Sequence, residues 1–217
     1  MKLFGRLLDL LYPPRCVFCH RLLSSGDDPV CRFCEQSLPV TGDSARRKSP
    51  AYTDGCYSPL YYEGTVKESL HRFKFSQRTG YADIYAGFMV KCIDENEIFC
   101  DIISWAPVSR KRKRSRGYDQ SELLARAVAA RTGLLCERTL EKIRHTSPQS
   151  LTNNARQRAE NVKGAYRCCA GDLVRGKKIL LIDDIVTSGS TLSECARMLR
   201  EAGASRVVTL TAACVRR

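Results

Sequence analysis

Ile179-Leu-Leu-Ile-Asp-Asp-Ile-Val-Thr-Ser-Gly-Ser-Thr191 is the most informative stretch of the chain. Its first four residues are all apolar, as in a parallel strand covered by helices on both faces. Asp183 and Asp184 follow at the carboxyl end of that strand. A Ser/Thr/Gly loop then leads into Leu192, Cys195, Ala196 and Leu199, the i, i+3, i+4, i+7 face of a helix stopped by Gly203. Residues 207–211 read as a further strand, so strand, helix and strand compose a right-handed parallel crossover unit. Ligands of open α/β sheets bind at the carboxyl ends of such strands. The loop amides and the hydroxyls of Thr187, Ser188, Ser190 and Thr191, with Gly189 among them, suit a phosphate at the positive end of a helix. Asp183 and Asp184 suit the vicinal hydroxyls of a sugar, so a phosphorylated ribose satisfies both halves.

An acidic strand also suits the magnesium carboxylate of a P-loop nucleotide hydrolase, and Gly171-Asp-Leu-Val-Arg-Gly-Lys177 mimics the start of such a loop. Lys178, however, stands where a hydroxyl must ligate the metal, and the segment leads into a strand rather than from strand to helix. A purely structural turn would leave two adjacent acids at a buried strand end without partners, which is costly.

Upstream, Ile102-Ile-Ser-Trp-Ala-Pro-Val108 reads as a second buried strand ending in a loop. Ser109 follows, then six cations in seven positions: Arg110, Lys111, Arg112, Lys113, Arg114 and Arg116. Such a run serves a solvated loop, a departing diphosphate or a nucleic-acid backbone. Ser121 opens a helix through Leu123, Leu124, Ala127 and Val128, which Gly133 ends. An aromatic run, 57–62, precedes a helical pattern through Val66, Leu70 and Phe73. Residues 37–50 are polar and rich in turn formers, and read as a linker.

With 217 residues the chain suits one α/β domain plus a small appendage, 1–50 before 51–217. A net charge of +13 favours polyanionic partners. In Met1-Lys-Leu-Phe-Gly-Arg-Leu-Leu-Asp-Leu-Leu-Tyr-Pro-Pro14, charges interrupt the apolar residues and no cleavage site follows, so an amphipathic helix is expected rather than a signal peptide. No run of about 18 apolar residues predicts a membrane span, and a cytoplasmic protein is expected. In a reducing compartment disulfide frameworks are rare. Cys16-Val-Phe-Cys19 and Cys31-Arg-Phe-Cys34 instead have the spacing of two thiolate knuckles supplying four ligands to one Zn²⁺. Redox dithiols are the alternative, but a thioredoxin-type site needs one such pair beside a βαβ unit. Four protein ligands leave no open position, so the metal is expected to be structural. Most of the other eight cysteines read as small core residues.

The segment 179–191 resembles the 5-phosphoribosyl-1-pyrophosphate (PRPP) signature of type I phosphoribosyltransferases. More narrowly, the chain resembles the ComF-like family, competence-associated proteins that join an amino-terminal four-cysteine module to such a domain. The likeness includes Pro13-Pro-Arg-Cys-Val-Phe-Cys19, Trp105-Ala-Pro-Val-Ser-Arg110, Arg116-Gly-Tyr-Asp-Gln-Ser121 and the segment 144–161. Where the family has Phe-Asn, this chain has Tyr118-Asp119. The resemblance implies a type I phosphoribosyltransferase-like parallel sheet flanked by helices. It also implies that Asp183 and Asp184 hold ribose hydroxyls, that 187–191 hold the 5-phosphate, and that Ser109, Arg110, Lys111 and Arg116 belong to a pyrophosphate loop. The segment 144–161 resembles a mobile hood, with Arg144, Gln149, Arg156 and Asn161 as candidates to act late in closure; Arg144 and Arg156 would join the two acids as catalytic groups. His145 and His71 read as surface or packing residues.

The implied reaction is substitution at the anomeric carbon of Mg²⁺·PRPP, with the nucleophile supplied by an unidentified acceptor. The rival expectation is a non-catalytic DNA-uptake factor that binds single-stranded DNA or a competence helicase-type partner protein, since fold does not imply activity. A zinc-dependent DNA-binding regulator fits the charge but leaves Asp183 and Asp184 unexplained.

Overall fold

The computed structural model describes residues 13–24, 28–42, 45–76, 78–144, 146 and 155–216. The apolar segment 1–12, His145 and Gln149 lie outside the described residues, and of Arg156 only the backbone is described. The strands are β1 (Gly55–Tyr57), β2 (Leu60–Tyr61), β3 (Ile102–Trp105), β4 (Leu135–Cys136), β5 (Leu140–Lys142), β6 (Tyr166–Cys168), β7 (Lys178–Val186) and β8 (Arg206–Cys214). The helices are α1 (Arg32–Ser37), α2 (Gly64–Phe75), α3 (Tyr81–Glu95), α4 (Arg110–Arg116), α5 (Gln120–Thr132), α6 (Ala155–Val162), α7 (Gly171–Val174) and α8 (Ser190–Glu201). One parallel sheet runs in the order β1-β8-β7-β3-β4, with β2 also on β8, and β5 and β6 form a separate antiparallel pair.

The alternation of side chains along each strand divides the core in two. Leu180 and Ile182 of β7, Ile103 and Trp105 of β3, and Val208 and Leu210 of β8 pack with α2, α3 and α5. Ile179, Leu181, Ile102 and Val207 face the other way, against Leu192, Cys195, Ala196 and Leu199 of α8. Residues 179–182 are therefore apolar throughout because both faces of β7 are covered. Polar groups inside this core are satisfied in pairs, Ser58 with Thr211 and Ser104 with Thr139, each at 2.6 Å.

Three local expectations are revised. β7 does not end before Asp183 but continues to Val186, because β8 offers it a matching backbone as far as Val186↔Cys214. The cationic run after Val108 is a helix rather than a loop: Ser109 caps it, Arg and Lys are good helix formers, and Gly117 ends it at φ 83°. The helix expected to open at Ser121 starts one residue earlier, its cap being Asp119, whose Oδ1 accepts from the amides of Ser121 (3.1 Å) and Glu122 (3.4 Å).

The stretch read as a linker lies along the sheet. The Thr41 amide donates to Pro59 O (2.9 Å) and the Arg47 amide to Cys56 O (2.7 Å), while Leu38 and Ala45 are buried. The cysteine module is likewise packed onto the larger domain. Phe18, fully buried, meets Tyr85 and Phe88 of α3 edge-on at 5.6 and 5.9 Å, and Arg72 of α2 donates to the carbonyls of Val17 and Phe18. Phe33 points outward instead, with Arg21 over its ring. Phe18→Ala is expected to cost about 3–5 kcal/mol in urea denaturation while leaving zinc stoichiometry unchanged; an unaltered midpoint would show that this contact holds nothing together.

Candidate functional site

β3 leads through α5 to β4 on one side of the sheet, and β7 leads through α8 to β8 on the other. The carboxyl ends of β3 and β7 thus flank a topological switch point, where a crevice opens between diverging connections. The last rung between these two strands is Ala106 N to Ile182 O, at 2.9 Å. From Asp183 onward β7 borders a cavity of about 700 Å³.

Asp183 and Asp184 both line this cavity. Asp183 Oδ1 accepts from the Ser121 hydroxyl and from the Asp184 amide, each at 2.8 Å. Asp184 Oδ2 lies 2.8 Å from Lys74 Nζ at the end of α2. Burial, and then the neighbouring Asp184, push the Asp183 carboxyl above the usual carboxylate range. Beyond them Thr187, Gly189, Ser190 and Thr191 line the same cavity, and the Ser188 hydroxyl reaches Ser190 Oγ at 2.9 Å. Gly189, at φ 78°, precedes α8 with no side-chain cap, and a Cβ there would fall 2.9 Å from Pro50 Cγ. A glycine therefore lets the loop turn tightly while Ser190, Thr191 and Leu192, the first residues of a twelve-residue helix, line the cavity.

The basic helix has two faces. Arg112 and Arg116, one turn apart, line the cavity, where Arg116 is fixed by Gln120 (2.9 Å) and by the Phe75 ring (5.1 Å). Arg110, Lys111 and Arg114 are exposed on the outside, and Lys113 pairs with Glu122 at 2.7 Å. Ser109, buried, caps the helix rather than lining the cavity. Arg144 is exposed and donates to the carbonyls of Asn161 (3.2 Å) and Lys163 (2.7 Å), so it ties this segment together outside the cavity wall.

Among the lining residues, Arg158 lies in the segment 144–161 expected to form a hood, whereas Lys74, Lys142 and Tyr166 carried no sequence signal. They come from elements distant in sequence, and Lys142 and Tyr166 meet only because β5 and β6 pair in that register. His71 lies at the cavity edge beside Phe75, its ring 4.6 Å away.

In the amino-terminal module the sulfurs of Cys16, Cys19, Cys31 and Cys34 all lie within 4.8 Å of one another, with Cys19 and Cys31 at 3.6 Å. Tetrahedral Zn–S bonds of about 2.3 Å place sulfurs about 3.8 Å apart. The Cys31 and Cys34 amides point at Cys16 Sγ (3.4 Å) and Cys31 Sγ (3.5 Å), as in thiolate knuckles. The donor set fits Zn²⁺ and is closed to substrate, which makes a bound zinc structural.

A parallel α/β domain with paired acids and a Ser/Thr/Gly loop at its switch point, joined to a four-cysteine module, defines a class of protein. Residues 120–216 match the phosphoribosyl transferase domain family and residues 7–47 the double zinc ribbon domain. The chain is 31% identical to the DNA utilization protein YhgH of Salmonella typhimurium, over 91% of this chain and 96% of that one. It is 28% identical to competence protein ComFC of Bacillus subtilis (89% and 75% covered) and 22% to competence protein F of Haemophilus influenzae (89% and 93%). The chain belongs to the ComF-like family.

Asp119, which caps α5, also accepts from the Val108 amide at 2.9 Å and so fixes the turn into the basic helix. Burial raises its carboxyl from 3.8 to about 6, against the opposing backbone hydrogen bonds. Between these values the folded chain holds a proton that the unfolded chain releases. The contribution of this group to stability is therefore complete below pH 4 and is lost as pH rises through about 6, at up to about 1.4 kcal/mol per pH unit. Asp119→Asn is expected to lack that fall, whatever its constant offset, in urea midpoints taken from pH 4 to 7; parallel profiles would contradict the assignment.

Proposed function

We propose that the chain binds PRPP with Mg²⁺ in this cavity and transfers the phosphoribosyl group to an acceptor. The observation that carries the reading is the convergence on one cavity of two adjacent carboxylates, a helix-opening Ser/Thr/Gly loop and the inward pair Arg112 and Arg116. In this reading Asp183 and Asp184 hold the ribose hydroxyls and residues 187–191 hold the 5-phosphate. Arg112 and Arg116, which line the cavity, face the diphosphate in this reading, and Arg112 takes the part expected of Arg110 and Lys111, which are exposed on the outer face. The acceptor's lone pair forms a bond to the anomeric carbon as the bond to the diphosphate oxygen breaks, and the diphosphate departs with the electron pair. Oxygen donors of this kind suit a hard cation, and Mg²⁺, when bound, supplies neutralising charge to that leaving group. Ser121 and Lys74 keep the two acids oriented throughout.

At 100 times its Kd, PRPP with Mg²⁺ should stabilise the zinc-loaded protein by about 2.7 kcal/mol. Asp183→Asn combined with Asp184→Asn should abolish the gain while the far-ultraviolet circular dichroism stays native. A double variant that is still stabilised would place the ligand elsewhere.

A DNA-handling role is the second reading, supported by the names of the relatives and by the outer face of α4. Arg110, Lys111 and Arg114 project from the cavity's rim into solvent, available to a single-stranded backbone. About 0.7 counterions are released per phosphate contact on single strands. Replacing these three with Gln should therefore flatten the slope of log affinity against log salt by about 2, and an unchanged slope would exclude this face from DNA binding. No described helix is long and apolar enough to cross a membrane.

A further inference from the structure

Lys142 of β5 and Arg112 of α4 line the same cavity, where the Arg112 charge disfavours the Lys142 ammonium, and among the described residues neither has a carboxylate within ion-pair distance. Holding two like charges together in a half-buried space is unfavourable unless an anion completes the set. Lys142 Nζ donates to the Tyr166 hydroxyl at 3.0 Å and lies over its ring, and Tyr166, itself buried, is hydrogen-bonded to Thr191 in the first turn of α8. The ammonium is thereby aimed beside residues 187–191 by a rigid aromatic strut. Thr187, Gly189, Ser190 and Thr191 line the same cavity, so the two cations and this loop border one space.

We propose that Lys142 and Arg112, with Tyr166 as the positioning residue, form a phosphoryl-oxyanion subsite that grips the ligand's phosphate from the side of the β5–β6 pair. The assignment rests on the phosphoribosyl reading above, which already sets Arg112 against the diphosphate, and adds Lys142 beside it on the flank next to residues 187–191. It also makes binding sensitive to pH. Burial, and then Arg112, bring the Lys142 ammonium down to about 8. The other charged or titratable groups facing it are Asp183, Arg144, Cys195 and Tyr166. Burial lifts Cys195 and Tyr166 well above their ordinary values, so both stay protonated between pH 7.5 and 9.5. A phosphate monoester is already a dianion in that range.

Calorimetry with two probes, ribose 5-phosphate and inorganic pyrophosphate with Mg²⁺, tests this on the zinc-loaded full chain. Lys142→Met is expected to weaken whichever probe occupies the subsite about ten- to a hundredfold at pH 7.5, the loss of one charge-assisted hydrogen bond. Lys142→Arg should restore that affinity and remove most of the wild-type decline between pH 7.5 and 9.5, while any part due to Asp183 persists in both. Weakening of ribose 5-phosphate assigns the subsite to the monoester, and weakening of pyrophosphate alone assigns it to the diphosphate. Unchanged affinity for both probes in a folded Lys142→Met protein overturns the subsite and leaves the phosphoribosyl reading intact. A wild type that binds neither probe nor PRPP overturns both.

Discussion

Two adjacent carboxylates at the floor of a half-buried crevice are the constraint around which the rest of the molecule is arranged. Left alone, Asp183 and Asp184 would repel each other and lose hydration on burial, a cost that opposing charge offsets only when the geometry is good. The chain meets that cost with donors from three separate elements: the Ser121 hydroxyl on α5, the Asp184 amide on β7 and the Lys74 ammonium on α2. Each donor needs its own element held in place. Ser121 is set by the Asp119 cap, which also holds the Val108 turn, so one side chain fixes both an acid's partner and the entrance to the basic helix.

Lys74 is set from further away. Two residues before it, Arg72 reaches the carbonyls of Val17 and Phe18, between the first two cysteines. Phe18 is at the same time locked against Tyr85 and Phe88. A forty-residue module has too little core to hold such a geometry by itself, and a tetrathiolate zinc contributes on the order of 10 kcal/mol to a fold of this size. In this arrangement the four-cysteine shell, which zinc would hold together, braces α2, α2 aims Lys74, and Lys74 balances Asp184, although those cysteines lie outside the cavity.

Periodicity and spacing make parts of this legible without coordinates. Four apolar residues before Asp183 mean a strand covered on both faces, and paired C-x2-C knuckles mean a metal shell, because each pattern has few physical alternatives. The extension of β7 through Val186 is not legible: Asp183 and Asp184 are poor strand residues, and only the backbone of β8 draws them into the sheet. The basic run shows the same limit in another form. Charge alone fits a loop equally well, and the inward pair Arg112 and Arg116 separates from the outward Arg110, Lys111 and Arg114 only once helical geometry sorts them.

Lys142 marks where sequence pattern carries least. Its strand is Leu-Glu-Lys, three residues with no distinctive periodicity, and its neighbours Arg112, Tyr166 and Thr191 are brought to it by three different elements. A lysine becomes chemically distinct through desolvation and unbalanced like charge, and both are properties of tertiary packing rather than of local composition. The acids and the Ser/Thr/Gly loop sit on consecutive residues because one strand-to-helix turn can build both. The cationic flank cannot be built from that turn, so it comes from the α4 helix and from the β5–β6 pair, whose Leu140 and Tyr166 pack with α8.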